Sequence, residues 1–337
     1  MTKDFPIKLN KMIDFDSFTL MPRYSDIPSR SIIDVSTKIN GLVSDLPVIN
    51  ANMLSLCTDD MISSLSNKNS TFSSYHRFFE DSDLKNSKMN EVVSLLGPNI
   101  KKFWMSIGAK PSEYSSIASL YAKGISNIII DTNHGHHKFV KDTIEFLKKE
   151  FPNITIMAGN VCTTDGIKFL KDSGADIIKV GNSYGQSCTT KNATGFGVHP
   201  LHACAKYRYD TYDFDTLLCA DGGFRTPSDI AKALIFSDLV MLGRMFAGTN
   251  ESAGYRAKFS NVYFGNASIN TKKIISTNDE TNHVRYIEGQ QIFVDKIGPL
   301  NDCLMSIKDG LQSAFSFVNA RSLKQYQRLA LEQILEV

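Results

Sequence analysis

The stretch Thr216-Leu217-Leu218-Cys219-Ala220-Asp221-Gly222-Gly223-Phe224-Arg225-Thr226-Pro227-Ser228-Asp229-Ile230-Ala231-Lys232-Ala233-Leu234 reads as a strand, a turn and the start of a helix. Residues 216–221 form a short apolar run that stops at an aspartate and two glycines, the residue types that end strands and permit tight turns. Thr226 can cap a helix, Pro227 fits its first position and Asp229 completes a capping box. Ile230, Ala233 and Leu234 then supply a buried stripe.

Working outward, the same kind of run recurs at residues 46–51, 71–75, 103–108, 127–131, 154–159, 176–181 and 238–243. These runs are short, rich in Ile and Val, and end near Gly, Asp or Asn, which suits strands buried on both faces of a parallel sheet. Helical patterns lie between most of them. In residues 137–150, for example, Val140, Ile144 and Leu147 share one face. Eight strand-helix units predict an α/β fold of the TIM (β/α)8 barrel type, with a doubly wound sheet as the structural alternative.

A barrel of this kind carries its active site on the loops at the carboxyl ends of its strands. Asn50, Asn52, His76-Arg77, Asp131, Asn160, the loop bearing Cys188, Asp221-Gly222-Gly223 and Gly243 all fall there. The connection from the sixth strand to the seventh is the longest, and a mobile catalytic loop is expected in it. Residues 255–288 are polar and weakly periodic and read as a short flap over the site. Residues 300–337 read as a C-terminal helical segment. The whole chain, 1–337, is expected to form a single catalytic domain.

The chain has 337 residues, 42% of them apolar, and a net charge of +2 from 37 basic and 35 acidic residues. That balance argues against a dedicated nucleic-acid partner. No segment approaches the roughly eighteen uninterrupted apolar residues of a membrane span, and the amino terminus lacks the apolar core of a signal peptide. A cytoplasmic enzyme is expected. The six cysteines show neither CxxC pairing nor partner histidines at zinc spacing, so disulfides and structural zinc are not expected. His134, His136 and His137 lack the grouped cysteines or carboxylates of a zinc site.

Cys188 stands apart from the other five. In Gly181-Asn182-Ser183-Tyr184-Gly185-Gln186-Ser187-Cys188-Thr189-Thr190-Lys191 it is flanked by glycines, hydroxyls and a lysine on a loop, a setting in which a thiol can be held as the nucleophilic thiolate. Cys57, Cys162, Cys204, Cys219 and Cys303 read as small buried hydrophobes.

Several of these pieces, in order, carry a resemblance. Phe15-Asp16, Pro22-Arg23-Tyr24-Ser25 and Pro28-Ser29-Arg30-Ser31 are followed by Ala51-Asn52-Met53 and by Asp131 with His134-Gly135-His136. Ala158-Gly159-Asn160-Val161, Cys188-Thr189-Thr190 with Thr194-Gly195, Ala220-Asp221-Gly222-Gly223 and Met245-Phe246-Ala247-Gly248 complete the series. The chain resembles the IMP dehydrogenase and GMP reductase superfamily along nearly its whole length. Two features favour the reductase branch. Only a normal helix unit separates the second and third strands, with no room for the paired CBS-type modules of the dehydrogenases. Arg285-Tyr286-Ile287-Glu288-Gly289 is similar to the reductase pattern of arginine and glutamate three residues apart, followed by glycine.

The resemblance implies NADPH-dependent reductive deamination of GMP to IMP with release of ammonia, through a covalent thioimidate on Cys188. Thr190 and Glu288 would relay the proton to the departing amine. Asp221, Gly222 and Gly223 would hold ribose and phosphate. Gly243, Arg244, Gly265, Asn266, Ala267, Ser268, Arg285 and Gly289 would complete the purine nucleotide site. Ser29, Arg30, Arg77, Asp131, Thr132, Asn133, Ser313, Ser316 and Phe317 would meet the cofactor, in part across a subunit boundary of a homo-oligomer, a tetramer. Main-chain carbonyls at Ser183 and Gly185 would hold a monovalent cation, K+.

Plainer readings stand beside these roles. Thr190 also suits a turn cap, Glu288 a solvated loop charge, Asp221 a helix cap, Asp131 a strand-end hub and residues 313–317 a helix interior. The chain also departs from the family pattern, which has Gly-Ile-Gly-Pro-Gly-Ser where this loop has Gly181 to Gln186, and Gly or Ser where this chain has Arg244. Arg244 either pairs with the phosphate as a bidentate cation or fills its pocket. The second outcome predicts a relative acting on another purine nucleotide or nucleoside. An IMP dehydrogenase-like enzyme and a catalytically silent purine-binding barrel are the remaining alternatives.

Overall fold

The computed structural model describes residues 9–79, 81–253, 260–268, 271 and 289–337. Eight parallel strands occupy the positions of the eight apolar runs: β1 (Val48–Asn50), β2 (Ser73–Tyr75), β3 (Phe103–Ile107), β4 (Asn127–Asp131), β5 (Thr155–Val161), β6 (Ile177–Val180), β7 (Leu217–Asp221) and β8 (Leu239–Leu242). From β2 to β8 each pairs with the next in sequence, and β8 pairs with β1, giving the order 1-8-7-6-5-4-3-2. The strands are buried on both faces: Ile128, Ile129 and Ile130 of β4 have no exposed surface, which explains why the runs do not alternate.

β1 and β2 close the ring by a different device. The Asn50 side chain acts as a second peptide group, with Oδ1 accepting from the Ser74 N–H at 2.7 Å and Nδ2 donating to the Ser74 carbonyl at 3.0 Å. The Ser74 hydroxyl donates to the Asn50 carbonyl at 2.7 Å. The result is a TIM-type barrel, and the doubly wound alternative is excluded by the β8–β1 pairing.

Helices alternate with these strands: α1 (Asp59–Ser63), α2 (Ser82–Leu96), α3 (Tyr114–Ala122), α4 (Lys138–Glu150), α5 (Thr164–Asp172), α6 (Pro200–Thr211), α7 (Pro227–Leu234) and α8 (Leu300–Phe317). In α4, His137 is the N-cap, its Nδ1 accepting from the Phe139 N–H at 3.1 Å, and Val140, Ile144 and Leu147 are buried. α7 starts as its sequence requires. The Thr226 hydroxyl accepts from the Asp229 N–H at 3.3 Å, Asp229 Oδ2 accepts from the Thr226 N–H at 3.0 Å, and Ile230, Ala233 and Leu234 are buried.

Two expectations are corrected. The region read as an irregular flap contains a strand, Ser260–Phe264, paired antiparallel with Gln291–Asp295. The helical C-terminal segment ends in a strand, Ile334–Glu336, paired antiparallel with Phe18–Leu20; three residues, Ile-Leu-Glu, are too few to show a strand period after the preceding helix, Leu323–Leu331. Both pairings join segments distant in sequence, which local periodicity does not report.

Candidate active site

The carboxyl ends of the strands open into one cleft, and Cys188 lies on its wall. The Cys188 N–H donates to the Gly185 carbonyl at 2.9 Å, closing a tight turn. The next residues wind into a short helix, Thr190–Thr194, which ends on Gly195 at φ 79°. Through this turn the Cys188 thiol meets the Thr190 hydroxyl oxygen at 3.2 Å. Thr190 is buried and Cys188 is partly exposed, so the sulfur is reachable and its hydroxyl partner is shielded.

The long connection between β6 and β7 is braced from two sides. Cys188 forms an isolated antiparallel bridge with Gly289, and the Gln290 N–H donates to the Ser187 carbonyl at 2.8 Å. On the other side Tyr184 meets His199 edge to face at 4.9 Å, and Lys191 Nζ lies 5.1 Å from the Tyr184 ring centroid. The other cysteines have different settings. Cys57, Cys204 and Cys219 are buried, whereas Cys162 and Cys303 are only partly so, a correction to the reading of all five as buried. Burial pushes the Cys57 and Cys204 thiols up to about 12 and that of Cys303 to about 11.

The floor of the cleft is a buried ion cluster. Lys179, in the middle of β6 and 2% exposed, points its ammonium at Asp131 Oδ1, 3.0 Å away on β4, and at Asp221 Oδ2, 3.5 Å away on β7. The Asn160 Nδ2 donates to Asp221 Oδ2 at 2.8 Å and to the Gly181 carbonyl at 2.9 Å. Arg77 Nε lies 3.8 Å from Asp131 Oδ2. Burial alone would raise the Asp131 carboxyl; the Lys179 and Arg77 cations outweigh it and hold the group below the usual carboxylate range. Desolvation opposes the Lys179 charge, but the two carboxylates more than offset it and hold the ammonium above the ordinary lysine value. Gly159 makes room for this arrangement, since a Cβ there would fall 2.8 Å from the Lys179 Cβ and 2.3 Å from its carbonyl oxygen.

Asp221, Gly222 and Gly223 line the cleft together with Cys188. Gly222 and Gly223 have φ of 114° and 89°, which only glycine adopts without strain, and a Cβ on Gly222 would fall 3.1 Å from the Gly185 nitrogen. The β7 loop therefore seats directly against the cysteine loop. Gly243, Arg244, Gly265, Asn266 and Ala267 line the same cleft. Gly243 is fixed by Tyr263, whose Oη would lie 2.2 Å from an added Cβ. Arg244 is partly exposed and makes no ion pair among the described residues. Ser268 sits behind the wall, bridged to Gly289 and buried. Arg285 and Glu288 lie outside the described residues.

The residues expected to meet a cofactor divide into two groups. Asp131, Thr132 and Asn133 line the cleft, and Arg77 stands behind Asp131. Ser29, Arg30, Ser313, Ser316 and Phe317 do not line it. They form a separate exposed cluster in which Arg30 Nη1 donates to the Ser313 hydroxyl, Ser316 Oγ donates to the Ser313 carbonyl at 2.7 Å, and Phe317 is 61% exposed. Ser183, expected beside a cation, has φ 66°, and its hydroxyl has two acceptors in reach for its one proton, Asn182 Oδ1 at 2.7 Å and the Phe196 carbonyl at 2.9 Å. The Gly185 carbonyl is engaged by the Cys188 amide, which leaves it one lone pair. Among the described residues no group of three His, Cys, Asp or Glu side chains converges to hold a metal.

Sequence reasoning missed Lys179, Gly159 and Tyr263. A signal for the first existed: a lysine inside the apolar run Ile177-Ile178-Lys179-Val180 must find a buried counter-charge.

A parallel barrel with a reachable thiol, a buried ion cluster and glycine-lined turns at the carboxyl ends of its strands is built as an enzyme. A family model described as IMP dehydrogenase / GMP reductase domain matches residues 12–335. The chain belongs to this family, and it is therefore an oxidoreductase. Among its relatives, the GMP reductase of Clostridium acetobutylicum is 34% identical over 325 residues, covering 94% of this chain and 93% of that one. The GMP reductase of Lysinibacillus sphaericus is 32% identical over 327 residues, with 94% and 93% covered. That of Streptococcus pyogenes serotype M49 is 33% identical over 333 residues, with 96% and 94% covered.

Proposed function

We propose that this protein converts GMP to IMP and ammonia at the expense of NADPH. The carrying observation is the Cys188–Thr190 pair, a thiol 3.2 Å from a buried hydroxyl, on the wall of a cleft shared with Asp221, Gly222 and Gly223. The naming of the relatives as GMP reductases supports the same reading.

The chemical difficulty is the exocyclic amine on C2 of guanine, which leaves only after a nucleophile adds to that carbon and a proton reaches the nitrogen. The Cys188 thiolate adds to C2, Thr190 with Glu288 passes a proton to the amine, and ammonia departs to leave a thioimidate on Cys188. The chemistry NADPH supplies when bound is a hydride to C2, after which the sulfur leaves as thiolate and IMP is released. In sum, GMP, NADPH and two protons give IMP, ammonium and NADP+.

The chain's own residues suit these ligands. Asp221 Oδ1 has no hydrogen-bond partner among the described residues, and as an acceptor it suits the hydroxyls of a ribose. The Asn52 side chain lies beside Asp131 and helps hold its carboxyl low. This polar end of the cleft suits the amide or hydroxyls of a dinucleotide's nicotinamide end, which Asp131, Thr132 and Asn133 would flank. Arg244, in the cleft and free of ion pairs among the described residues, suits the 5′-phosphate and offsets the departures at Ser183 and Gln186. No step of this scheme uses a monovalent cation. The Arg30–Ser313 cluster is read as a subunit boundary of a homo-tetramer, where it would reach a neighbour's cofactor; molecular mass in solution by light scattering tests that reading.

The test of function is to mix the protein with GMP and NADPH. Loss of nicotinamide absorbance with IMP and ammonia formed one to one is expected. Turnover of IMP with NAD+ in place of the GMP reaction would overturn the proposal in favour of a dehydrogenase, and tight GMP binding without turnover would favour a silent barrel.

A further inference from the structure

Lys179 lies beneath the reacting centre and is absent from the mechanism above. Four consecutive strands build this cluster: β4 brings Asp131 and β7 brings Asp221 to the ammonium of Lys179 on β6, while β5 packs Gly159 against the Lys179 backbone and aims Asn160 at Asp221. The two carboxylate oxygens lie 3.0 and 3.5 Å from one nitrogen and so stand no more than 6.5 Å from each other. The other ionisable groups facing the cluster are Arg77, 3.8 Å from Asp131, with Glu113 beyond it at 4.0 Å, the buried thiol of Cys219 on β7, and the buried phenol of Tyr263, which faces Asp221.

We propose that Lys179 is a positioning residue: its ammonium is the shared counter-ion that lets Asp131 and Asp221 stay ionised together on the floor of the cleft. The geometry requires some such device. Two carboxylates this close in a site of low dielectric cannot both hold a negative charge without a cation between them, and one of them would otherwise keep its proton. Arg77 cannot substitute, because it approaches only the far oxygen of Asp131 and remains a third exposed. The Asn160 amide donates to Asp221 but carries no charge. Gly159 belongs to the same device, since any side chain there would collide with the Lys179 backbone and Cβ.

The functional part of this inference rests on the reading that Asp221 receives the nucleotide's ribose. An ionised Asp221 accepts from both hydroxyls, whereas a protonated one offers a donor to two donors. Removing the ammonium should therefore cost GMP affinity only at pH values where the unpaired carboxylates compete for a proton.

The experiment compares wild type, Lys179→Met and the double variant Lys179→Met/Asp131→Asn. GMP binding is measured by calorimetric titration, and thermal stability by calorimetry, at pH 6, 7 and 8. GMP affinity of the wild type should change with pH only as the nucleotide's own phosphate titrates, at about pH 6. Lys179→Met should bind GMP about tenfold or more weakly and gain a further ionisation in the neutral range. The double variant has one carboxylate fewer, and it should recover most of the lost affinity and the wild-type profile.

Stability gives the second readout, with a definite sign. In Lys179→Met the folded-state pKa of one carboxyl rises above its unfolded value, so that group's contribution to stability falls as pH rises through the folded pKa, and the Tm deficit relative to wild type should be larger at pH 8 than at pH 6. The double variant should follow the wild-type pH profile. A Lys179→Met variant impaired equally at every pH, and not rescued by Asp131→Asn, would overturn the proposal; so would failure of both variants to fold, which would assign Lys179 to packing. A double variant that folds where the single does not supports it. Wild type that does not bind GMP would sink the proposed function alone, because the Tm comparison needs no ligand.

Discussion

Cys188 carries the chemistry only if its sulfur, and not merely its volume, is needed. Cys188→Ser keeps the side-chain size and the contact to Thr190 but substitutes a far weaker nucleophile. Steady-state assay should show turnover lowered more than about 10³-fold, with GMP affinity in calorimetric titration little changed. Arg244 makes the second prediction at this scale. If its guanidinium pairs with the 5′-phosphate, Arg244→Ala should weaken GMP binding by about 10- to 100-fold, the worth of a charge-assisted hydrogen bond, and leave guanosine binding unaltered. Equal loss for both ligands would show that the arginine shapes the pocket without clamping phosphate.

The secondary-structure elements were legible to different degrees, for physical reasons. Most of the barrel strands were visible because burial on both faces favours short apolar runs, although β2 carries Ser73 and Ser74 and β6 carries Lys179, and α7 was visible because its whole start lies within four residues, Thr226 to Asp229. That cap makes a prediction: Thr226→Ala should cost about 1 kcal/mol of stability in urea unfolding and leave activity unchanged, since Thr226 does not line the cleft. The Cys188 loop and the β7 turn also announced themselves, through glycines and hydroxyls that a buried strand would not carry. The rest depended on partners remote in sequence. Ile334–Glu336 is a strand only because Phe18–Leu20 lies beside it, and Ser260–Phe264 only because Gln291–Asp295 returns along it. Lys179 was hidden inside a run read for its apolar neighbours, and its role depends on carboxylates 48 and 42 positions away. Ser29, Arg30 and Ser313, expected to meet a cofactor, were grouped by resemblance, and the fold brings Arg30 to Ser313 but off the cleft.

Two buried imidazoles set the acid limit of the whole molecule. His76, beside β2, is 6% exposed and His199, at the start of α6, is 4% exposed; burial pushes both down to about 4. The unfolded chain binds protons at these histidines from about pH 6.5 downward while the folded chain does not, so stability is present above that value and is lost as pH falls towards 4. The loss should be on the order of 3 kcal/mol for each histidine, visible as a falling Tm, and His199→Gln should remove about half of the slope. The barrel also has a place where unravelling ought to begin. Seven joins between strands are continuous backbone ladders, while the eighth hangs on the Asn50 carboxamide and one serine. Warmed or mildly denatured, such a hoop should part at this stitch while the remaining staves hold, and deuterium should reach the Ser74 amide well before those of Ile129 and Ile178 on the opposite side.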